Sequence, residues 1–223
     1  MNEGPVQRLR LTFSKGEALR WISHLDVARL WERALRRARI PVAYTQGFNP
    51  QLRIQFASAL PTGCSGRSEL ADLWLMARVA PEDFAARVRR QLPQGVELIA
   101  VEEVDLKAPA LQAMLRAADW SVAVEAPDVS PEDLRSRVDA FLVAERWQKE
   151  RTRRPGQPPR SYDLRALVVD LRYEGVGDGG WHRLWMRLRS EPSATGRPDE
   201  VLDALGLADR PNRMERVALY FEP

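Results

Sequence analysis

Ser23, His24 and Asp26 place a hydroxyl, an imidazole and a carboxylate within one short stretch. These are the groups of a hydrolytic triad, but their crowding argues against that use. Triad members converge from distant segments, because neighbours on one helical turn cannot line up nucleophile, base and orienting acid. The S-x-x-D spacing has a simpler meaning. It is a capping box, in which serine and aspartate side chains satisfy backbone N–H groups at a helix start. The other reading is a polar corner that meets a ligand, since a helix start favours anions. Asn49 and Glu69 are further polar residues that could line one pocket with Ser23, His24 and Asp26 and do acid–base work, RNA cleavage included.

A second set of residues points to binding. Arg29, Arg33, Arg36 and Arg37 recur at helical spacing, with Asp26 as a facing acid on the stripe. Val27, Leu30, Trp31, Ala34 and Ala38 fall on the opposite face. Residues 1–60 carry ten basic residues against four acids, +6 of a net charge of +3 for the whole chain. Residues 146–165 carry seven against two. Clustered arginine is the expected footprint of a phosphate-bearing partner, although a solvated helix face uses the same residues. Arg20, Arg53, Tyr44, Phe48 and Asn49 extend this set into the neighbouring loops. Arg183, Trp185, Arg187 and Arg189 alternate along a later strand, as a base-stacking surface or an inter-domain contact would have them.

The elements that must hold these groups follow from periodicity. Residues 8–13 alternate, with Leu9, Leu11 and Phe13 inward and Arg8 and Arg10 outward. A helix runs from Ser23 to about Ala38, and Pro41 stops it. Val42 and Tyr44 begin a strand, Gly47-Phe48-Asn49-Pro50 turns it, and Leu52 to Phe56 form its return. Residues 70–76 and 96–104 are strands, with a helix opening at Pro81 between them. The second half repeats the order. A strand at 120–124 is followed by a helix from Pro131, a strand near 145–151, an Arg- and Pro-rich loop at 151–160, strands to 189, a helix from Pro198 and a closing strand at 214–221. Each half therefore reads as a split βαβ arrangement. The expected fold is α+β, two tandem ferredoxin-like domains at 1–104 and 119–223 joined by a linker at 105–118.

Composition narrows the function. Cys64 is the single cysteine, so neither an internal disulfide nor the thiolate set of an iron–sulfur cluster is available. His24 and His182 are too few for a His-rich metal centre. No metal and no cofactor are expected. No apolar run reaches the roughly 18 residues of a membrane span. The N-terminus lacks the apolar core of a signal peptide. A cytoplasmic protein without membrane contact is expected.

The stretch from Arg20 to Phe56 resembles a bacterial family, the radical-SAM-linked proteins of unknown function. The resemblance is carried by Phe13, Lys15, Arg20, the Ile22-Ser23-His24-Leu25-Asp26 block, Arg29, residues 33–38, Pro41 to Tyr44, Gly47 to Pro50, Arg53, Leu60-Pro61, Gly63 and Glu69. Weaker matches are Lys107, Pro109, Leu111, residues 163–165 and residues 216–220. Members are encoded beside, or fused to, a cobalamin-type radical SAM protein, and some lie near ribonuclease E/G-like genes. Where members carry a His-Pro pair after the Asn-Pro turn, this chain has Gln51-Leu52, which shifts weight to His24. The resemblance implies a stand-alone accessory partner of a radical SAM protein, and the first reading is that it presents RNA or a ribonucleoprotein. In that reading Arg29, Arg33, Arg36, Arg37 and Arg53 hold phosphates, and Arg20 belongs to the same RNA- or partner-binding set. An RNA-processing or other hydrolytic enzyme and a protein–protein adaptor are the alternatives.

Overall fold

A computed structural model describes residues 4–151 and 158–222 of the chain. Most of the Arg- and Pro-rich loop singled out above, residues 152–157, lies outside the described residues. Two compact units form. One comprises Met1–Leu115 with Ala218–Pro223, and the other Arg116–Val217.

In the first unit the order is β1 (Gln7–Lys15), α1 (His24–Arg37), β2 (Ile54–Phe56), β3 (Cys64–Leu75), α2 (Pro81–Arg89) and β4 (Val96–Val104). β1 lies between β3 and β4 and is antiparallel to both, and β2 pairs with β3. The sheet order β4-β1-β3-β2 is that of a ferredoxin-like fold. The alternation of β1 sends Leu9, Leu11 and Phe13 into the core against Val27, Trp31 and Leu35 of α1 and Phe84 and Val88 of α2. Trp31, 0% exposed, meets Phe13 edge-on at 5.1 Å. Each such large side chain contributes about 1.5–3 kcal/mol by leaving water. Pro81 stands at the first position of α2, with Glu82 and Asp83 in its first turn.

Two local expectations change. Val42 and Tyr44 make only isolated bridges, to Leu75 and Leu52. Residues 42–53 are therefore an irregular arm, not a regular strand pair, closed by Thr45 N–H to Gln51 O at 2.8 Å and Arg53 N–H to Ala43 O at 2.9 Å. The supposed basic outer face of β1 is also not a free surface. Arg8 is 2% exposed, and its guanidinium donates to the Asp72 carboxylate and to the carbonyls of Ala108 and Pro109. Arg10 adds two bonds to the same carboxylate, at 2.9 and 3.1 Å. An arginine buried in this way must be paired, because an unmatched charge away from water is costly. The stretch read as a linker, 105–118, holds the two carbonyls that Arg8 binds, the short α3 (Leu111–Met114) with Leu111 1% exposed, and the start of β5.

In the second unit β5 (Leu115–Val124), α4 (Pro131–Val143), β8 (Val168–Val176), β9 (His182–Arg189), α5 (Pro198–Ala204) and β10 (Asn212–Phe221) repeat the arrangement. Their sheet order is β10-β5-β9-β8. A separate hairpin of β6 (Gln148–Arg151) and β7 (Arg160–Asp163) is inserted between α4 and β8. Leu184, Met186 and Leu188 are buried, as the alternation of β9 requires. His182 is structural. Its Nδ1 pairs with the Tyr173 hydroxyl at 2.8 Å and its Nε2 with the Val129 carbonyl at 3.0 Å. The protein is thus α+β with a ferredoxin-like strand order in each unit.

Asp72, 0% exposed, is the shared anion of Arg8 and Arg10. Replacing it with asparagine, D72N, leaves two arginine side chains without their anion. Urea unfolding is expected to show a loss of about 3–5 kcal/mol, the cost of breaking one partner of a buried pair.

Candidate functional site

Lys15 follows Leu9, Leu11 and Phe13 in phase, so the pleat of β1 carries its side chain inward, where it is 1% exposed. The ammonium donates to the carbonyls of Arg20, at 3.1 Å, and Ile22, at 3.4 Å. The Gly63 N–H adds a bond to the Arg20 carbonyl at 2.8 Å. The backbone is thereby held just before Ser23, the N-cap of α1. The capping box is complete. Asp26 N–H donates to Ser23 Oγ at 3.2 Å, and Ser23 N–H and Oγ donate to Asp26 Oδ2 at 3.3 and 2.7 Å. The Ser23 hydroxyl, then the Ser23 backbone N–H and Arg29, hold the Asp26 carboxyl below its ordinary range. Ser23 and Asp26 serve the helix start.

His24 turns the other way. Its ring packs edge-on against Phe56 at 4.9 Å. With Phe13, Lys15, Phe56, Ser58 and Glu69 it borders a cavity of about 10 Å³. That is the smallest space able to hold one water, about 10–15 Å³. Glu69, 4% exposed, lies over Gly66, where an added Cβ would come within 2.6 Å of its Oε1. Of the five polar residues expected in one pocket, His24 and Glu69 line this cavity, and Ser23, Asp26 and Asn49 do not. Ser23 and Asp26 are held by the capping box, and the register explains the separation of Asn49. Lys15 pairs with Gly66 at one end of β1 and Gln7 with Leu75 at the other. Val42, at the root of the arm, bridges to Leu75. With a rise of about 3.3 Å per residue, the nine residues of β1 put roughly 25 Å between these ends.

The arginine stripe is on the surface. Arg29, Arg33, Arg36 and Arg37 are exposed, while Val27, Trp31, Ala34 and Leu35 of the same helix are buried. Arg29 reaches Asp26 at 3.4 Å. Arg33, Arg36 and Arg37 form no ion pair among the described residues. Arg20 stands apart from the stripe, paired with Glu17 and stacked on the Trp21 ring at 4.9 Å.

The arm holds the rest of the expected set. Gly47 turns it at φ 135°, a conformation that favours glycine. Phe48 is fully exposed, Asn49 is exposed, and Tyr44 is 45% exposed. The Arg53 guanidinium lies 4.7 Å from the centre of the Trp74 ring, and that of Arg8 lies 4.8 Å from it. Between the arm and residues 4–5 runs a groove of about 650 Å³, bordered by Pro5, Val42, Tyr44, Gln46, Arg53 and Met76 among others. Sequence reasoning missed the buried role of Lys15. The signal for Lys15 was its phase: it continues the Leu9-Leu11-Phe13 set, just as Glu69 precedes Ala71, Leu73 and Leu75.

The family of uncharacterized proteins conserved in bacteria known as DUF2344 matches residues 8–197. The chain belongs to this family. None of the curated proteins matches it. Among solved structures it is similar to a chain in a Cbf5-Nop10-Gar1 complex, with a TM-score of 0.52 and 10% identity over 97% of this chain. The match takes up 50% of that chain, so the protein spans half its length. A Galdieria sulphuraria protein gives a TM-score of 0.29 at 13% identity, covering 95% of this chain and 99% of that one. The first two RRM domains of yeast poly(U) binding protein give 0.19 at 10%, covering 94% and 99%. At these identities the first likeness speaks to fold alone, in keeping with the ferredoxin-like strand orders of this DUF2344 protein.

The Asp26 carboxyl has a simple test. Its folded value lies below its unfolded one, so its contribution to stability is present above about pH 4 and is lost as pH falls through the folded value. In the variant S23A, carbon-detected NMR titration should show the Asp26 carboxyl moving up toward the ordinary aspartate range. An unchanged midpoint would show that the serine is not the cause.

Proposed function

We propose that this DUF2344 protein binds RNA or a ribonucleoprotein through the arginine face of α1, as the accessory partner of a radical SAM enzyme. The observation that carries the binding reading is the exposed, one-sided set of Arg29, Arg33, Arg36 and Arg37, three of them without an ion pair among the described residues. A helix dipole accounts for basic residues in the last turn, Arg36 and Arg37. It does not account for Arg33 and Arg29, one and two turns earlier. The guanidinium fork suits phosphate, which it engages with two parallel bonds. Tyr44, Phe48 and Asn49 would meet a base or the partner.

The radical SAM partner rests on the motif resemblance, from Phe13 and Lys15 through Glu69. Iron–sulfur chemistry in this reading belongs to the partner, since Cys64 is a single, buried thiol. The outer face of β1 does not support the same role, because Arg8 and Arg10 are already engaged by Asp72. A hydrolytic site gains no support from the His24–Glu69 cavity, which has room for one water and no substrate.

The test is RNA affinity against salt. Each phosphate contact to a single strand contributes about 0.7 to the slope of log K against log salt. Replacing Arg33, Arg36 and Arg37 together with glutamine should reduce that slope by roughly 2 and weaken binding to all sequences alike. Affinity that stays flat between about 50 and 200 mM salt would remove phosphate contact from the account.

A further inference from the structure

The groove beside the arm has a different chemistry from the arginine face. Its volume of about 650 Å³ lies within the range of roughly 300–1,000 Å³ typical of small-molecule sites. Tyr44, 45% exposed, and Met76, 42% exposed, border it, and the fully exposed Phe48 stands at the tip of the same arm. Val6, 39% exposed, follows Pro5 of its rim, with its N–H bonded to the Leu75 carbonyl. Single exposed apolar residues are ordinary, but Tyr44 and Met76 on one rim, with Val6 and Phe48 next to it in the chain, make a contact surface. Polar groups lie among them: the Gln46 amide, Thr45, and the Arg53 guanidinium held flat near Trp74.

We infer that this groove takes an unpaired base of a single-stranded RNA, stacked against the aromatic side chains of the arm, with Gln46 and Arg53 at its polar edge. The inference rests on the proposed RNA-binding function and specifies the substrate as single-stranded. Exposed rings together with a planar cation are what a base binds to, since every base has an aromatic face. A base within an A-form duplex is already stacked, and its major-groove edge is out of reach of side chains. An extended peptide added as a strand is a poorer fit, because such recognition reads main-chain groups. In the arm, Ala43 N–H is bonded to Trp74 O, Thr45 N–H to Gln51 O and Arg53 N–H to Ala43 O. Side chains, not an open strand edge, face the groove. Val42 at its rim follows shortly after Arg37, so a strand leaving the groove can run onto the cationic helix.

The experiment compares an unstructured single-stranded RNA, a duplex of the same length and a single strand of abasic sites, by fluorescence anisotropy on the full chain. The intact single strand should bind most tightly. The variants F48A and Y44A should each weaken it about tenfold, leave duplex and abasic binding unchanged, and keep the salt slope. Phe48 touches solvent alone, so its loss does not threaten folding, and an unchanged thermal midpoint checks this. Equal affinity for all three RNAs, unaffected by F48A and Y44A but still salt-dependent, would overturn the base site and leave the arginine face standing. Absence of salt-dependent RNA binding would overturn both. Loss of a nuclease-resistant protein partner in F48A, with RNA affinity unchanged, would assign the groove to a protein and overturn the inference.

Discussion

The ammonium of Lys15, shut away from solvent at the end of β1, ties the start of the arginine-bearing helix to the sheet of the first unit. A cation in that position is costly unless its protons are matched. The Arg20 and Ile22 carbonyls provide two of those matches and are in turn held in place. Ile22 immediately precedes the N-cap, so this contact anchors the point where the Ser23–Asp26 capping box starts α1. Which side of the helix faces water is set by its own apolar stripe, with Val27, Trp31 and Leu35 buried and the arginines opposite.

Arginine does three separate jobs in this unit, and composition does not distinguish them. Arg8 and Arg10 surround Asp72 beneath the sheet and hold residues 108–109 against it. Arg87 closes the far end of α1 by donating to the Ala38 and Arg39 carbonyls, which a helix C-terminus leaves without partners. Arg33, Arg36 and Arg37 remain in water. In the second unit Arg187 is likewise occupied, by Asp119 at 2.7 and 2.9 Å, while lying 5.5 Å from the centre of the Trp185 ring. The count of basic residues in the first sixty overstates the charge available to a polyanion, because two of them share one aspartate from β3.

The arm differs from the sheet that carries it. Few backbone bonds close it, its tip lies in solvent, and it lacks the ladder of a regular hairpin. Segments of this kind open at low cost compared with core strands. The groove walls can therefore adjust to a ligand without disturbing the Leu9–Trp31 core, which lies between the sheet and the two helices.

Local chemistry made much of this readable from sequence. The two-residue period of β1 and β9, the S-x-x-D start of α1 and the prolines opening α2, α4 and α5 act within a few residues and need no distant partner. The split βαβ order, and with it the fold class, followed from stringing such signals together. What tertiary structure alone decided is pairing across long separations. Asp72 lies over sixty residues from the arginines it engages, and His24 and Glu69 meet through the register of β1 with β3 while Asn49 is carried to the opposite end. Residues 105–118 read as a linker because nothing in their residue types marks the two backbone carbonyls that a buried arginine requires. A side chain's charge is written in the chain, but whether that charge reaches water depends on which remote segment folds over it.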